Sequence, residues 1–333
     1  MVVKPESFKN LVAVRNGKVV KIPNMVLRKP SNINVQNAHL AKGSVCIVCN
    51  FCFHEKKIDW SSNIKAICHP FRDDDIFPSS IKTHLFSESD FCDKFITPHS
   101  HNMEKWDGKY DFVYFFLSSS QGVRSKGLYM APMIGRVAKR LGLKGLMIGY
   151  QGSKSNKLRG TIFDKAYRKV MTEINEIDNM KFIYKKFSTK EVCAIMRGSK
   201  FVLYPNTADA SPRLLTEAIV RGVPVVVNKD IYGGWKYINN RNGSFFDGLS
   251  IEEYVDDKDT GENEESLMHS ISKVLSIDRG GVSNTFYEKY GFKNSAVKFA
   301  SIINRISSTN YDAVVFAEWQ PVLKRVARKS RWI

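Results

Sequence analysis

From about residue 111 to residue 227, the chain alternates apolar runs of strand length with segments of helical periodicity. Short apolar runs bounded by turn residues predict buried strands, and longer segments with apolar residues at helical spacing predict helices. Strands that alternate with helices are typical of a doubly wound parallel sheet, so the predicted fold class is α/β. The predicted strands are residues 111–117, 146–150, 181–187, 201–204 and 223–227, and the predicted helices are residues 128–141, 158–177, 189–197, 212–221, 264–275 and 294–306.

The best defined unit of this alternation is the strand, loop, helix and strand of residues 201–227. Ser211 and Pro212 predict the N-cap and the first position of the helix. Gly222 and Pro224 predict its end. The loop before the helix would then lie at the carboxyl edge of the sheet, where open α/β folds bind ligands. Two carboxylates, Asp209 and Glu217, fall around the start of this helix. We therefore expect the functional site of the protein at this edge of the sheet.

Residues 1–109 differ from the rest and predict a separate, small domain. Asn16-Gly17, between two apolar runs, is a strong signal for a β-hairpin. Apolar runs at residues 45–49 and 64–68 predict buried strands. A length of 333 residues suffices for two domains, each with its own core.

Neither a membrane-spanning apolar stretch nor the apolar core of a signal peptide is visible in the sequence, which favours a cytoplasmic protein. The six cysteines are too few and too uneven for a disulfide framework, so reduced thiols are expected. Cys46, Cys49 and Cys52 suggest a metal site, but Lys56 stands where a fourth cysteine of the ferredoxin type would be. We therefore expect no metal site.

The net charge of +18 is unevenly distributed along the chain. Residues 120–169 contain twelve Lys or Arg and one acid, and residues 324–331 contain five more cations. Residues 251–265 contain eight acids and one lysine, which predicts a solvated surface loop. Basic surfaces attract nucleotide diphosphates, anionic lipid head groups, acidic polysaccharide or nucleic acid, and charge alone does not choose between them.

The string that starts at Asp209 and contains Glu217, Ala218, Gly222 and Pro224 resembles the donor-binding half of the retaining glycosyltransferases of family 4, which have the GT-B fold. The later Gly233-Gly234 and the segment 242–247 add to this resemblance, which extends more weakly over residues 111–306. This chain departs from the family pattern in two places: Asp209 replaces the usual Glu, and Ser211-Pro212 replaces Phe-Gly.

The resemblance implies a GT-B-like arrangement of two Rossmann-like domains. Residues 1–109 would form a small N-terminal acceptor-side domain, and residues 110–308 would form the nucleotide-sugar donor domain with its doubly wound parallel sheet. Residues 309–333 would be a basic tail or a crossover helix.

By the same resemblance, Glu217 should bind the ribose hydroxyls of a nucleotide sugar, and Asp209 should accept hydroxyls of the sugar ring. A carboxylate suits this role because it only accepts hydrogen bonds and can take two hydroxyl donors. The alternatives are an ion pair of Glu217 with Arg213 on an exposed helix, and a turn-forming role for Asp209. The implied donor-binding residues are Glu217, Ser211, Pro212, Arg213, Leu214 and Gly127.

The loop at residues 118–127 carries Lys126-Gly127, which matches the family's Lys-Gly at the donor diphosphate. The family's arginine would fall near Gln121, so Arg124 is the candidate substitute. Preorganised cations can neutralise a leaving diphosphate without a metal, which makes Lys126, Arg124 and Asp209 the candidate catalytic residues. The alternative is a solvated basic loop.

His69 follows the predicted strand 64–68, and in related enzymes a histidine at a comparable place faces the sugar. A surface or core histidine is the competing interpretation.

These residues together predict transfer of a sugar from a nucleotide-diphosphate sugar to a glycan, lipid or protein acceptor, with retention of configuration and without a cofactor or metal. The alternative is a catalytically inactive protein that binds a nucleotide sugar or a polyanion such as nucleic acid. Nucleic acid is the weaker choice, because the aromatic and basic strand motifs of the common RNA-binding modules are missing. Trp319 and Trp332 bracket the basic run 324–331, which suits peripheral binding to an anionic membrane.

Overall fold

The computed structural model describes residues 11–16, 18–21, 44–47, 64–69, 71–72, 79–95, 109–151, 158–258 and 261–316. These residues divide into two compact units, which comprise the described parts of Met1–Phe95 with Lys289–Ile333 and of Ile96–Glu288.

The strands, in chain order, are β1 (Leu11–Arg15), β2 (Lys18–Lys21), β3 (Ser44–Ile47), β4 (Ile64–His69), β5 (Lys82–Leu85), β6 (Phe112–Ser118), β7 (Gly145–Gln151), β8 (Met180–Tyr184), β9 (Phe201–Tyr204), β10 (Val225–Asn228), β11 (Gly243–Phe246) and β12 (Ala313–Phe316). The α-helices are α1 (Ser120–Lys126), α2 (Ala131–Arg140), α3 (Ile162–Glu173), α4 (Thr189–Gly198), α5 (Arg213–Val220), α6 (Ile251–Val255), α7 (Glu262–Leu275), α8 (Arg279–Tyr287) and α9 (Gly291–Ser307). Short 3₁₀ helices cover Glu88–Phe95, Leu128–Met130, Ile174–Glu176 and Trp235–Tyr237.

The described residues of the first unit form two small sheets. The predicted hairpin is confirmed, because β1 and β2 pair in antiparallel register and Asn16 between them has φ of 52°. β12 pairs with the other edge of β1, and β3, β4 and β5 form a parallel sheet. α9 packs on β12 through a face that includes Ala296, Phe299 and Ile303.

The position of α9 differs from the predicted domain boundaries, which grouped residues 294–306 with residues 110–308. The apolar face of α9 is buried against the 3₁₀ helix Glu88–Phe95 and against β12. Helical periodicity predicts that such a face is buried, but it does not say against which sheet. The helix therefore belongs to the first unit.

The second unit is built on a six-stranded sheet in the order β11-β10-β9-β6-β7-β8. All five neighbouring pairs are parallel, which confirms the predicted parallel sheet. Parallel sheets are covered on both faces, and accordingly every residue of β9 and β10 is buried. The carboxyl ends of β6 and β9, which are neighbours, lie at one edge of this sheet.

Two predictions about secondary structure were wrong, one on a whole helix and one on a helix start. Residues 120–126, predicted as part of a loop, form α1, whose N-cap Ser119 accepts a hydrogen bond from the Gly122 amide at 3.3 Å. The N-cap of α5 is Pro212 rather than Ser211, so this helix has no side-chain cap. By contrast, α4 begins with a capping box, in which the side chains of Ser188 and Glu191 each accept a hydrogen bond from the other's backbone amide.

The acidic residues 251–265 are not a loop, as the sequence predicted, but contain α6 and the start of α7. Their carboxylates pair with cations of the basic run. Glu264 lies within 2.5 Å of Arg136 and 3.3 Å of Arg140, and Glu265 lies 2.7 Å from Arg140. Part of the positive charge of residues 120–169 is therefore neutralised inside this unit.

The described helices include none whose length and apolar character would let it cross a membrane.

Candidate functional site

Two loops of the second unit meet at the carboxyl edge of the parallel sheet. One follows β6 and continues into α1, and the other connects β9 to α5. Because β6 and β9 are neighbours in the sheet, residues far apart in the sequence come together here. The two groups in closest contact are the side chains of Lys126 and Asp209, separated by 83 residues.

The Asp209 carboxylate is the centre of this site. Its Oδ2 atom accepts hydrogen bonds from Lys126 Nζ at 2.5 Å, from the Tyr204 hydroxyl at 2.8 Å and from Asn206 Nδ2 at 2.9 Å. Burial on its own would raise the pKa of the Asp209 carboxyl, but Lys126, together with Tyr204 and Asn206, holds this pKa below its usual value. The carboxylate is therefore ionised at neutral pH.

The two oxygens of Asp209 differ in their surroundings. Oδ2 takes all three hydrogen bonds, whereas none of the described residues donates one to Oδ1. The side chain is 14% exposed, so it is mostly but not fully covered. Oδ1 is thus an anionic acceptor that a hydroxyl group of a ligand could use.

Contacts with neighbouring segments fix the backbone around Lys126. Its carbonyl oxygen accepts a hydrogen bond from the Tyr114 hydroxyl at 2.6 Å. Its neighbour Gly127 has φ of 64° and lies so close to Pro205 that a Cβ atom would stand 2.2 Å from the Pro205 carbonyl oxygen. Thr207 adds a further link, because its Oγ1 donates to the Arg124 carbonyl at 2.8 Å. The end of α1 is therefore fastened to the loop that carries Asp209.

Arg124 is placed differently from Lys126. Its guanidinium carbon lies 5.8 Å from the centre of the Phe163 ring on α3, a cation–π distance. The backbone of Arg124 contacts the site through Thr207, and its proposed role at a diphosphate stays a prediction. Gln121, where the family arginine would fall, is exposed on α1, and its carbonyl accepts from Ser125 at 2.7 Å.

Glu217 lies in the second turn of α5, with its side chain 14% exposed. Burial raises the pKa of its carboxyl, although Arg221 and Arg213 act in the opposite direction. The ion-pair alternative named Arg213 as the partner, but the structure places Arg221 Nη1 3.6 Å from Glu217 Oε2. A glutamate four residues before its cation has the more favourable orientation on a helix, which explains this choice.

The candidate donor-binding residues Ser211 to Leu214 form the entry into α5. Pro212 is buried, whereas Ser211, Arg213 and Leu214 are half-buried. The Gly233 amide donates to the Asp209 carbonyl at 2.9 Å, so the segment after β10 is hydrogen-bonded to the loop between β9 and α5.

His69 belongs to the first unit and ends β4. Its side chain is buried and stacks on Phe71 with ring centres 6.1 Å apart. The surroundings of His69 are therefore those of a core histidine, and a role for it in sugar binding stays a prediction.

Two of the sequence hypotheses concern residues that lie partly or wholly outside the described ranges. Cys46 lies on β3, whereas Cys49 and Cys52 lie outside the described residues, as does the basic tail 324–331. Within the described ranges, no three His, Cys, Asp or Glu side chains cluster as metal ligands would. Metal independence and membrane binding by the tail stay predictions.

Sequence reasoning named Asp209 and Lys126, whose side chains the structure brings into contact, but it missed the residues around them, namely Tyr114, Tyr204, Asn206 and Thr207. The two tyrosines stand in apolar strand runs, where they look like core residues. Both are indeed buried, but their hydroxyls reach the site. Since a buried tyrosine hydroxyl normally finds a hydrogen-bond partner, two tyrosines in neighbouring strands were the available signal.

Similar folds occur among solved structures. Sucrose-phosphate synthase from Thermosynechococcus elongatus is 9% identical to this chain with a TM-score of 0.54, over 86% of this chain and 74% of that one. A lipopolysaccharide outer core galactosyltransferase is 13% identical with a TM-score of 0.54, over 86% and 75%. The N-terminal domain of Candida albicans trehalose-6-phosphate phosphatase is 10% identical with a TM-score of 0.57, over 85% and 70%.

No protein-family model matches the chain, and no curated protein sequence is significantly similar to it. At these low identities the similarity concerns the fold alone, which is GT-B-like, as the sequence predicted.

Proposed function

We propose that this protein is a retaining glycosyltransferase, similar to those of family 4, that moves a sugar from a nucleotide-diphosphate sugar to a glycan, lipid or protein acceptor. The observation that carries the proposal is the contact of Lys126 with Asp209 at the carboxyl edge of a parallel sheet. A cation for phosphate and an open carboxylate oxygen for a sugar hydroxyl stand side by side there. The GT-B-like fold supports the same activity.

The residues have different roles in this proposal. Glu217 binds the ribose hydroxyls, and Asp209 accepts a sugar hydroxyl at Oδ1 while Oδ2 holds Lys126. Lys126 and Arg124 neutralise the diphosphate, and Gly127 with residues 211–214 shape the wall against which the donor lies. A sugar-facing role for His69 stays a prediction.

The proposed reaction needs no protein nucleophile. The acceptor oxygen forms a bond to the anomeric carbon on the face from which the diphosphate leaves, as the bond from that carbon to the phosphate oxygen breaks. The acceptor proton passes to the departing phosphate oxygen. Lys126 stabilises the negative charge that develops on the diphosphate, and a cation fixed in advance does so without reorganisation.

Release of nucleoside diphosphate from a panel of UDP-, GDP-, ADP- and dTDP-linked hexoses would test this proposal. Release by the protein from one donor type, faster with an acceptor mixture than without it, is the expected result. Donor binding without any release would favour the alternative of an inactive nucleotide-sugar-binding protein. Neither binding nor release from the whole panel would contradict both.

The role of Glu217 leads to a prediction about donor affinity. Glu217→Gln should weaken binding of the preferred nucleoside diphosphate by about 1.5–3 kcal/mol, because charge-assisted hydrogen bonds to the ribose are lost. Calorimetry with the wild type, this variant and Glu262→Gln measures the effect. Glu262 is exposed on α7 and serves as the matched control. Equal affinities in all three proteins would refute the ribose assignment.

A second prediction concerns metal ions. If Lys126 and Arg124 neutralise the diphosphate, sugar transfer should proceed at the same rate in EDTA as in added magnesium, because no divalent cation takes part. Initial rates under both conditions measure this. Loss of transfer in EDTA that returns when a divalent metal is restored would show that the cations of the site are insufficient.

A further inference from the structure

Arg221, which directly follows α5, carries a buried positive charge next to Glu217. Its side chain is 3% exposed, whereas arginine is seldom buried to this degree. Its Nη1 atom donates to the Glu217 carbonyl oxygen at 2.8 Å and lies 3.6 Å from Glu217 Oε2. One guanidinium nitrogen therefore contacts both the backbone and the carboxylate of the same residue.

The guanidinium is not fully bonded by the protein. Among the described residues, none accepts a hydrogen bond from the buried Nε atom of Arg221. The thiol of Cys193 on α4 is the other neighbour, and burial raises the pKa of this thiol, so it stays neutral. A buried cation with incomplete hydrogen bonding is costly unless a nearby anion compensates for it. Glu217 is the anion in contact.

We propose that Arg221 is a positioning residue that holds the Glu217 carboxylate in the orientation in which it accepts the donor's ribose hydroxyls. This inference rests on the proposed function, because it assumes that Glu217 binds ribose. Arg221 itself lies behind Glu217 and is covered, so it acts on the donor through the carboxylate.

The charge of Glu217 depends on this contact. Burial favours the neutral acid, which offers fewer acceptor sites for hydroxyl donors than the carboxylate does. The groups that face Glu217 are Arg213 from α5, Arg221 directly after α5, Cys193 from α4 and Tyr204 from β9. Since burial raises the pKa of the Tyr204 hydroxyl as well, only the two arginines carry charge at neutral pH, and Arg221 is the more important of the two.

The test compares Arg221→Met and Arg221→Lys with the wild type. Binding of UDP, GDP and ADP is measured by calorimetry from mildly acidic to mildly alkaline pH. Without the guanidinium, the pKa of Glu217 should rise, so the loss of affinity on acidification should begin at higher pH than in the wild type. If the pKa of Glu217 rises by one unit, affinity at pH values below both pKa values should fall about tenfold relative to the wild type. Arg221→Lys should restore part of the affinity, because it keeps the charge but not the planar geometry.

A double-mutant cycle separates this role from a merely structural one. If Arg221 acts through Glu217, Arg221→Met combined with Glu217→Gln should bind no more weakly than Glu217→Gln alone. Arg241→Met, which removes an exposed arginine paired with Glu288 at 2.6 Å, is the matched control. It should leave affinity and pH profile unchanged.

Each outcome of this experiment is informative. A wild-type affinity and pH profile in Arg221→Met, or an additive loss in the double variant, would overturn the positioning role. In either case, a weakened Glu217→Gln would leave the proposed function intact. Wild-type affinity in Glu217→Gln would instead remove the ribose assignment, and this inference with it. If Arg221→Met fails to fold, the affinity of Arg221→Lys decides the question, because wild-type affinity in that variant would overturn the positioning role.

Discussion

Lys126→Met should lower the rate constant kcat of sugar transfer by about 10²- to 10³-fold, the effect of removing one preorganised charge-stabilising group from an active site. Methionine keeps the apolar stem of the side chain and removes the ammonium group. The loss should exceed any change in donor affinity, because the charge of Lys126 matters most as the diphosphate departs. Steady-state rates at saturating donor measure this effect, with Lys139→Met as a control.

Lys139 is a matched control because it also forms an ion pair, with Asp178 at 2.7 Å, but is 66% exposed. Its replacement should change neither kcat nor thermal stability noticeably, since exposed ion pairs contribute little. A wild-type kcat in Lys126→Met would show that the diphosphate lies elsewhere. Equal losses in both variants would indicate a general charge effect rather than a site.

Lys126→Met should also differ from the wild type in how its stability depends on pH. Because the folded-state pKa of Asp209 is depressed, its carboxylate contributes stability that is present above the unfolded-state pKa and is lost as the pH falls through the folded-state pKa. Lys126 supplies part of that depression. The difference in melting temperature between wild type and Lys126→Met should therefore narrow on acidification, which thermal denaturation at several pH values can measure.

Apolar patterning predicted most of the second unit because its strands are buried on both faces. The run 201–204 was predicted with the boundaries that β9 has. α1 was missed because its seven residues, Ser120–Lys126, have no apolar periodicity. Its position depends on the cap at Ser119 and on the close packing of Gly122 against the Leu117 carbonyl oxygen, 1.7 Å from where a Cβ atom would stand. Local contacts of this kind leave no apolar periodicity in a sequence.

Charge patterning was less informative than apolar patterning. Acidic residues 251–265 looked like a solvated loop, yet helices with acidic faces are equally consistent with that composition. What the sequence could not provide was the partner, because Glu264 and Arg136 are separated by 128 residues. For the same reason, the Lys126 and Asp209 contact could be expected only through a resemblance and not from spacing.

Gly127→Ala is the second substitution from which we expect a large effect, in this case on both stability and activity. The left-handed backbone at this position costs an alanine about 1 kcal/mol. In addition, the new Cβ atom would stand 2.2 Å from the Pro205 carbonyl oxygen, which is backbone and cannot rotate away. Overpacking of this kind adds about 1–3 kcal/mol, so the total destabilisation should reach about 2–4 kcal/mol.

Gly142→Ala is the matched control for this prediction, because Gly142 has nearly the same φ of 67° but no atom within 4 Å of a built Cβ. It should therefore show the conformational cost alone, about 1 kcal/mol, with sugar transfer unchanged.

Gly127→Ala should also lose transfer, because α1 and the Asp209 loop are forced apart at the point where Lys126 meets Asp209. Urea denaturation and transfer rates measure both effects. If the two variants were equally stable, Pro205 would not be in contact with Gly127. If Gly127→Ala were destabilised but fully active below its melting temperature, the Lys126 and Asp209 contact would not govern the reaction.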